Sequence, residues 1–368
     1  MEHPRIILKP KTRLALHELI FIVVCNVLLM YAYYFFTWWG LGTYLRPGIF
    51  SDYLDTWYIH LELIIQGILF GLMFGLINFL VDITIIRRRS FSALILIKTF
   101  LYIIAMTISG GAVYVFFRSF NIVPSEMLDS MKLDRLHYSY LISFAVYLVL
   151  MILFINFLLQ INRKFGYGVL FYMLSGKYHK PRKEHRIFMF LDMKDSTGNV
   201  ERLGHYDYSR LLQSCIHDLT DIIIRYKAQV YQYVGDEVIL TWPTSKGAKD
   251  LNCINLFYAY EQCLRDKQEY YKKHYSTVPE FKAGLAEGTV TVTEVGDMKR
   301  EIAYHGEVVV TAARLEKMCY GLKKSLLVNQ NLVSMLSDGD EYEYEFMGEF
   351  ILQGKRKKEN VYGINRIL

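Results

Sequence analysis

Two aspartates, Asp192 and Asp236, stand where short apolar segments of this chain end. Asp192 follows the apolar run that finishes at Leu191, and Asp236 follows Gly235 between two alternating apolar segments. We therefore expect Asp192 at the end of a strand and Asp236 at the tip of a hairpin. Carboxylates at the ends of adjacent strands are hard oxygen ligands that suit Mg²⁺, which shares its other positions with water and substrate phosphates. The pair predicts a metal site for a nucleoside triphosphate.

The segments around these aspartates alternate between strand-like and helix-like patterns. The order strand, helix, hairpin, helix and strand is that of a ferredoxin-like β-α-β-β-α-β domain, an α+β fold with its helices packed on one face of the sheet. Further strands and one more helix follow. The predicted strands are 186–192, 229–242 as a hairpin, 281–287, 289–295, 301–305, 326–329, 342–350 and 361–364, and the predicted helices are 199–226, 248–274 and 308–319.

The first part of the chain is far more apolar than the rest. It contains four apolar stretches, each with at least the roughly 20 residues that a membrane-spanning helix needs. We predict a four-helix transmembrane domain over residues 1–162, a basic connector over 163–185 and an α+β domain over 186–368. The first stretch is too long for a signal-peptide core and has no small-residue cleavage site after it, so we expect it in the mature protein. The stretches are about 14–39, 58–86, 91–117 and 138–161.

Basic residues mark three flanks of these stretches as cytoplasmic. They precede the first stretch, fill the turn Arg87 to Arg89 between the second and third, and follow the fourth. Both termini are therefore expected in the cytoplasm, and a bacterial inner membrane is the simplest residence. Much of the net charge of +6 lies beside the bilayer, which indicates attraction to anionic lipid and argues against a nucleic-acid partner. The five cysteines have no metal-binding spacing.

Four blocks of the second domain, taken in order, resemble the class III nucleotidyl cyclases, the adenylate and guanylate cyclase family. The first block is Phe190 to Thr197, and the second is Val234 to Glu237. The third, Lys282 to Gly288, is similar to the family's G-[IL]-x-x-G strand. The fourth, Gly306 to Glu316, resembles the family's G-x-x-V-N-x-A-A-R-L helix. On this resemblance, residues 186–368 are identified as a cyclase catalytic domain.

The resemblance implies attack of the ribose 3'-hydroxyl on the α-phosphorus, with release of pyrophosphate and a cyclic 3',5'-nucleotide. Two Mg²⁺ or Mn²⁺ ions per active site would be held by Asp192 and Asp236, with the Met193 carbonyl as a further ligand. Arg314, always charged, would stabilise the charge that develops on the transferring phosphoryl group. In this family the arginine comes from the partner subunit, so a homodimer with two equivalent sites is implied.

Other positions would hold the substrate. The turn formed by Lys194, Asp195, Ser196 and Thr197 leads into a helix and can point backbone N–H groups at phosphates. Lys355, in the C-terminal part, matches a family lysine that meets the triphosphate. Asp195 departs from the family pattern, because it replaces the glycine of the first block and brings a negative charge near the phosphates.

Two further departures concern turnover and the choice of base. The family's transition-state asparagine is Val310 here, and the neighbouring hydroxyl of Thr311 is a candidate substitute. Loss of such a donor lowers a rate by about tenfold to a thousandfold. The base-selecting position is Gln232, whose usual partner falls at Ala303, with Glu301 one alternate strand position away. An amide can pair with several base edges, so these residues do not select one base. ATP is favoured from the family resemblance alone.

Two other functions are compatible with the sequence. A catalytically weak or silent cyclase-like module, which binds nucleotide or dimerises and is regulated by the membrane domain, is favoured by the altered transition-state and base positions. The retained aspartates and arginine oppose it. A diguanylate cyclase also has a ferredoxin-like core and a glycine-containing hairpin. However, Val234 stands where that hairpin needs a second glycine, and the helix of Arg314 would be unexplained.

Overall fold

The computed structural model describes residues 10–36, 56–84, 91–124, 138–165, 172, 175–298, 300–336, 341–352 and 358–367. The chain divides into two compact units, a first unit Met1–Phe165 and a second unit Gly166–Leu368. The described part of the first unit is helical, whereas the second unit is built on a β-sheet.

The described residues of the first unit contain four long helices, and each overlaps one of the four predicted stretches. They are α1 (Pro10–Tyr34), α2 (Trp57–Thr84), α3 (Phe91–Ser119) and α4 (Tyr138–Phe165). Among the described residues, three segments are long and apolar enough to cross a membrane: Trp57–Val81, Leu96–Ser119 and Ile142–Leu159. The apolar segment of α1, Glu18–Tyr34, is shorter, so the count of four spans stays a prediction. The predicted end of the first stretch, at residue 39, lies outside the described residues.

Three glycines on one side of α2 allow α1 to approach closely. A Cβ atom added to Gly67 would lie 2.9 Å from the Cα of Val27, and one added to Gly71 would lie 2.7 Å from the Cα of Val23. Gly75 repeats the pattern one turn further along. Small residues at every fourth position are typical of helix pairs in membranes, where close backbone packing replaces the hydrophobic effect. This spacing therefore explains how α1 and α2 pack together.

Polar side chains also join helices inside the first unit. Lys98 of α3 is only 8% exposed and donates a hydrogen bond to Asn78 of α2. Gln66 of α2 donates a hydrogen bond of 2.8 Å to the hydroxyl of Ser109 in α3. A polar group inside an apolar bundle is costly unless it has a partner. The two hydrogen bonds therefore connect α2 and α3 at two positions along their length.

The second unit contains an eight-stranded sheet. Its strands are β1 (Arg182–Met193), β2 (Gln229–Val234), β3 (Glu237–Pro243), β4 (Phe281–Val295), β5 (Glu301–His305), β6 (Leu326–Asn329), β7 (Tyr342–Ile351) and β8 (Lys358–Arg366). The order is β2-β3-β1-β4-β6-β8-β7, and β5 pairs with the far end of β4. Only β4 and β6 are parallel among the described pairs. The part β2-β3-β1-β4 is the predicted ferredoxin-like arrangement.

Helices cover both faces of this sheet, so the prediction that the helices pack on one face was wrong. The long helices are α5 (Ser196–Arg225), α6 (Asn252–Asp266), α7 (Gln268–Tyr275) and α8 (Glu307–Gly321), and shorter turns occupy Thr244–Gly247, Lys249–Leu251 and Gln330–Val333. Ile187 and Met189 of β1 belong to a core shared with α5, α6 and α7. Phe188 and Phe190 belong to a second core shared with α8. Since side chains alternate along a strand, the two cores lie on opposite faces, and α8 is the one long helix on its face among those that the structure describes.

Several elements differ from those predicted, and the two predicted strands 281–287 and 289–295 form one continuous strand, β4. β1 begins at Arg182, so the last four residues of the predicted connector 163–185 pair with β4. The predicted helix 248–274 is divided at Lys267 into α6 and α7. Within α5, Gly204 has a φ of +74° and interrupts the helix, because that left-handed backbone cannot continue the α-helical hydrogen bonds.

Candidate active site

Asp192, near the end of β1, lies between two charged neighbours in the sheet. The antiparallel register with β4 puts Lys282 opposite Asp192. On the other side the register with β3 pairs Leu191 with Val238, so Glu237 is the next residue of β3 beyond this last pair. Phe190 belongs to the core under α8, and residues two apart on a strand share a face. Asp192 therefore points to the face that α8 covers.

Lys282 links Asp192 to α8. Its ammonium group lies 2.9 Å from Asp192 Oδ2 and also donates a hydrogen bond to Glu316 Oε1. The side chain of Glu316 is only 2% exposed, and that of Lys282 is 17% exposed. Gly284 makes room for this contact, because a Cβ atom there would lie 2.2 Å from the backbone nitrogen of Glu316. Two carboxylates, one from the sheet and one from the helix, thus share one ammonium group.

Asp236 lies in the two-residue turn of the β2-β3 hairpin, as predicted. Gly235 in this turn has a φ of +64°, which glycine adopts without steric cost. The Oδ2 atom of Asp236 is buried and accepts no hydrogen bond from any described residue. Tyr208 of α5 is close to Asp236, and burial together with the charge of Asp236 raises the pKa of the Tyr208 hydroxyl. Asp236 therefore has a buried oxygen without a donor, beside a tyrosine that stays neutral.

Four carboxylates, Asp192, Asp236, Glu237 and Glu316, form what we call the carboxylate cluster. Burial, and then the charges of Glu316 and Asp192, raise the pKa of Glu237 to about 7. Burial likewise raises the pKa of Glu316, while Lys282 opposes that change. A dense negative charge and an orphaned buried oxygen are what a divalent cation neutralises. Asp192 and Asp236 therefore fit a Mg²⁺ or Mn²⁺ site.

The number of protein ligands also suits this assignment. No three His, Cys, Asp or Glu side chains among the described residues are grouped so that they alone could hold a metal ion. Mg²⁺ is commonly bound by one or two carboxylates, with water and substrate phosphates as its remaining ligands. The cluster therefore fits a metal that is bound together with a phosphate substrate better than a closed structural metal site.

Glu237 makes the stability of the metal-free protein depend on pH. A folded-state pKa of about 7, above the ordinary value of 4.5, means that stability is lost as pH rises from the lower value through the higher one. Without divalent ions, Glu237→Gln should therefore raise the melting temperature at pH 8 by about 2–4 °C, corresponding to about 1 kcal/mol, and should change it much less at pH 5.

The measurement is thermal unfolding of the full-length protein in detergent at both pH values. Glu349→Gln, a change at an exposed carboxylate in an ion pair with Lys358, is the matched control. An equal gain at pH 5 and pH 8 would contradict the assignment. Added Mn²⁺ should reduce the advantage of the variant at pH 8, because the ion neutralises the cluster in the wild-type protein.

The turn after β1 contains four of the predicted substrate residues. Asp195 has φ 53° and ψ 40°, a left-handed conformation that favours glycine and that Asp tolerates better than most residues. This backbone gives a physical reason for the glycine that the family has there. Ser196 and Thr197 form the first turn of α5. The ammonium group of Lys194 lies 3.0 Å from Ser325 Oγ and 3.4 Å from Glu280 Oε2, so its partners here lie outside the carboxylate cluster.

Arg314 and Val310 lie one turn apart on α8. Val310 is 45% exposed. Arg314 is half-buried and has no ion pair or hydrogen bond among the described residues. Glu316, two residues further along α8, pairs with Lys282 and not with Arg314. Residues four apart are neighbours on a helix surface. Arg314, whose guanidinium has no described partner, and the apolar Val310 therefore lie together on one exposed strip of α8.

Thr311 does not lie on this strip. Its side chain is 1% exposed, and its hydroxyl donates a hydrogen bond of 2.8 Å to the carbonyl of Glu307. Neighbouring residues of a helix point about 100° apart. The prediction that Thr311 replaces the missing amide at Val310 is therefore not supported by its placement, and a structural role for this hydroxyl fits better.

The predicted base-selecting residues lie on β2 and β5. Gln232 is exposed on β2, while Ala303 is half-buried and Glu301 exposed on β5. The rings of Tyr231 and Tyr304, which are sequence neighbours of Gln232 and Ala303, contact each other with centroids 4.9 Å apart. The structure thus brings the two strands together at this point. The roles of the three predicted residues stay predictions.

Met193 and Lys355 are the remaining predicted site residues. The side chain of Met193 is buried at 1% exposure in the core that faces α5, α6 and α7. This leaves only its carbonyl as a ligand for a metal on the opposite face, as predicted. Lys355 lies outside the described residues.

Sequence reasoning missed four residues near this site: Tyr208, Glu237, Lys282 and Glu316. Three of them lie inside the blocks that carry the family resemblance, and that was the available signal. Each looked like an ordinary surface charge, because their contacts with Asp192 depend on strand register and helix packing. Tyr208 had no signal of its own in the sequence.

Comparison with known proteins identifies the class. Residues 178–366 match the adenylate and guanylate cyclase catalytic domain, and the chain belongs to this family. It is 31% identical to Adenylate cyclase 2 of Rhizobium meliloti (strain 1021) over 204 residues, which are 55% of this chain and 56% of that protein. The chain thus spans little more than half the length of that relative. The predicted class III resemblance is confirmed, and the diguanylate cyclase alternative loses its support.

One solved structure supports the fold, and a second is reported for comparison. A bacterial light-regulated adenylyl cyclase has a TM-score of 0.51 at 18% identity, with 59% of this chain and 64% of that chain covered. The adenylyl cyclase CyaB from P. aeruginosa has a TM-score of 0.45 at 18% identity, with 50% and 96% covered.

Proposed function

We propose that this protein is a membrane-anchored nucleotidyl cyclase. It converts a nucleoside triphosphate, with ATP favoured, to a cyclic 3',5'-nucleotide and pyrophosphate. The observation that supports this most directly is the carboxylate cluster, which contains Asp192 and Asp236, the two metal ligands that the resemblance implies, and in which Asp236 has a buried oxygen without a donor among the described residues. The name of the similar Rhizobium meliloti protein favours ATP.

The carboxylates bind and orient the reactants. Asp192 and Asp236 would hold two Mg²⁺ or Mn²⁺ ions with the Met193 carbonyl. When bound, these ions lower the pKa of the attacking 3'-hydroxyl and neutralise the leaving phosphates. Ser196 and Thr197 are the first residues of α5. Their backbone N–H groups and the positive end of the helix dipole would stabilise a bound phosphate.

Arg314 stabilises the charge that develops on the α-phosphoryl group. A guanidinium that has no partner among the described residues and lies on an exposed strip of α8 is available to a second chain. We therefore place Arg314 in the active site of the partner, so that a homodimer has two equivalent sites. Gln232, Ala303 and Glu301 would then meet the base, and Lys355 the triphosphate.

The first unit anchors the enzyme in a lipid bilayer. Its three long apolar segments support this, and the basic flanks of the four stretches support a multi-pass topology with both termini in the cytoplasm. A bacterial inner membrane remains the simplest residence. Regulation of the catalytic domain by the membrane helices follows as part of the proposal.

A catalytically weak or silent cyclase-like module is the second candidate. The observation that favours it is the strip of α8, where Val310 offers no hydrogen-bond donor and Thr311 donates to Glu307 instead. Such a module would still bind nucleotide and dimerise.

The deciding assay uses full-length protein purified in detergent, with Mg²⁺ or Mn²⁺ and each of the four nucleoside triphosphates. Mass spectrometry should detect a cyclic 3',5'-nucleotide and pyrophosphate, with ATP as the preferred substrate. Asp236→Ala is the matched inactive control. A dimeric wild-type protein that binds nucleotide and forms no product from any of the four would reject the enzyme and favour the silent module.

A further inference from the structure

Lys282 occupies an unusual position for a cation, because it contacts one carboxylate of the candidate metal site. Its ammonium group lies 2.9 Å from Asp192 Oδ2, where a divalent ion would also have to bind. The second partner, Glu316, is nearly inaccessible to solvent and lies in another element, α8. Lys282 thus divides its charge between a residue of the metal site and a residue outside it.

The surroundings make it costly to separate Lys282 from both carboxylates at once. A buried charge without a partner is strongly destabilising, since desolvation is no longer compensated. Glu316 is the more buried of the two carboxylates, with 2% exposure against 21% for Asp192. If Asp192 is taken by another cation, Lys282 can still form a complete ion pair with Glu316. The reverse exchange would leave Glu316 buried and unpaired.

We propose that Lys282 and Glu316 form an exchange pair that tunes metal binding at Asp192. Without metal, Lys282 is a resident cation that bridges the two carboxylates. When a divalent ion binds Asp192, Lys282 transfers its contact to Glu316 alone. Lys282 and Glu316 are therefore positioning residues, since neither needs to touch the substrate. This inference rests on the proposed function only in taking Asp192 as a metal ligand.

The exchange also reaches the helix that holds Arg314. Glu316 follows Arg314 by two residues on α8, so a change in the Lys282–Glu316 contact acts on the same helical turn. In the proposed homodimer, that arginine serves the partner's site. Metal binding in one site is thereby linked, within one protomer, to a transition-state residue of the other site.

The test is direct binding of Mn²⁺ to full-length protein in detergent without nucleotide, followed by electron paramagnetic resonance of the free ion. Glu316→Gln leaves Lys282 to Asp192 alone and should weaken binding about tenfold. Lys282→Gln removes the competing cation and should strengthen binding about tenfold. The double variant should bind close to the wild-type level, and it also avoids a buried, unpaired carboxylate.

Lys317→Gln is the matched control, because Lys317 is an exposed lysine on the same helix whose charge acts on Glu237 from a distance. It should change Mn²⁺ affinity much less than Lys282→Gln. Weaker binding in both single variants would mean that the pair only supports the structure, and an equal effect of Lys317→Gln would mean that general charge is responsible. Either result overturns the exchange. Because the readout is binding, a wild-type protein that forms no cyclic product would reject the proposed function and leave this test intact.

Discussion

Arg314→Ala should abolish nearly all cyclic nucleotide formation, with a loss of at least about a hundredfold, because in the proposed mechanism this arginine stabilises the charge that develops in the transition state. Asp236→Ala should cause a similar loss, because it removes one of the two proposed metal ligands. Melting temperature should change little in the Arg314 variant, since its guanidinium has no partner among the described residues. Initial rates of product formation, with Lys317→Ala as the control on the same helix, measure the effect.

Mixing these two inactive variants tests the shared site. In a dimer of one Asp236→Ala chain and one Arg314→Ala chain, both changes meet in one site and the other site is intact. Random exchange of equal amounts should therefore restore about one quarter of the wild-type activity. Co-expression in one membrane, with different affinity tags to isolate the mixed dimer, gives the cleanest measurement. No recovery in an isolated mixed dimer would show that Arg314 acts in its own chain's site.

Val310→Asn should raise the turnover number by about tenfold to a thousandfold, because it restores an amide beside Arg314 where the family has one. The substitution is compatible with folding, since Val310 is 45% exposed and outside the core under α8. The metal dependence should stay the same, because the carboxylate cluster is not altered. Turnover at saturating metal and nucleotide is the quantity to compare.

Val310→Leu is the matched control for the asparagine variant, since it changes the side chain and adds no donor. An unchanged rate in Val310→Asn would mean that another group already provides the hydrogen bond. Thr311→Val then becomes informative. The hydroxyl of Thr311 donates to Glu307 in this structure, so its removal should affect stability more than turnover.

Local chemistry explains which parts of this site could be predicted. The Gly235-Asp236 hairpin follows from turn residues between alternating apolar segments, and the position of Asp192 follows from an apolar run that ends in a carboxylate. The four helices of the first unit follow from long apolar stretches. In each case the information lies within a few neighbouring residues.

Contacts between distant segments could not be predicted. The pair of Lys282 and Asp192 joins residues 90 positions apart, and it exists only because of the register between β1 and β4. A shift of one residue would turn every side chain of the strand to the other face, and the register between distant strands cannot be read from local sequence patterns. The placement of α8 on the opposite face from α5 could not be predicted for the same reason. From the sequence alone, Lys282 and Glu316 were therefore indistinguishable from ordinary surface charges.

The close packing of α1 on α2 gives a parallel case in the first unit. Apolarity predicts that helices form, but it does not say which sides meet. Gly67, Gly71 and Gly75 stand at regular spacing in the sequence, and their meaning depends on the helix that lies against them. The same applies to Lys98 and Asn78, which pair across two helices.

One strand gives the second unit a mechanical property. β4 runs without interruption from Phe281 to Val295, so Lys282 and Glu294 are joined by about 40 Å of nearly inextensible backbone. Near its far end, the backbone N–H of Glu294 donates a hydrogen bond of 2.9 Å to the carbonyl of Tyr178, in the segment that precedes β1. A tensile force applied to that segment therefore acts on one end of an extended strand, and Lys282, which contacts Asp192, lies at the other end.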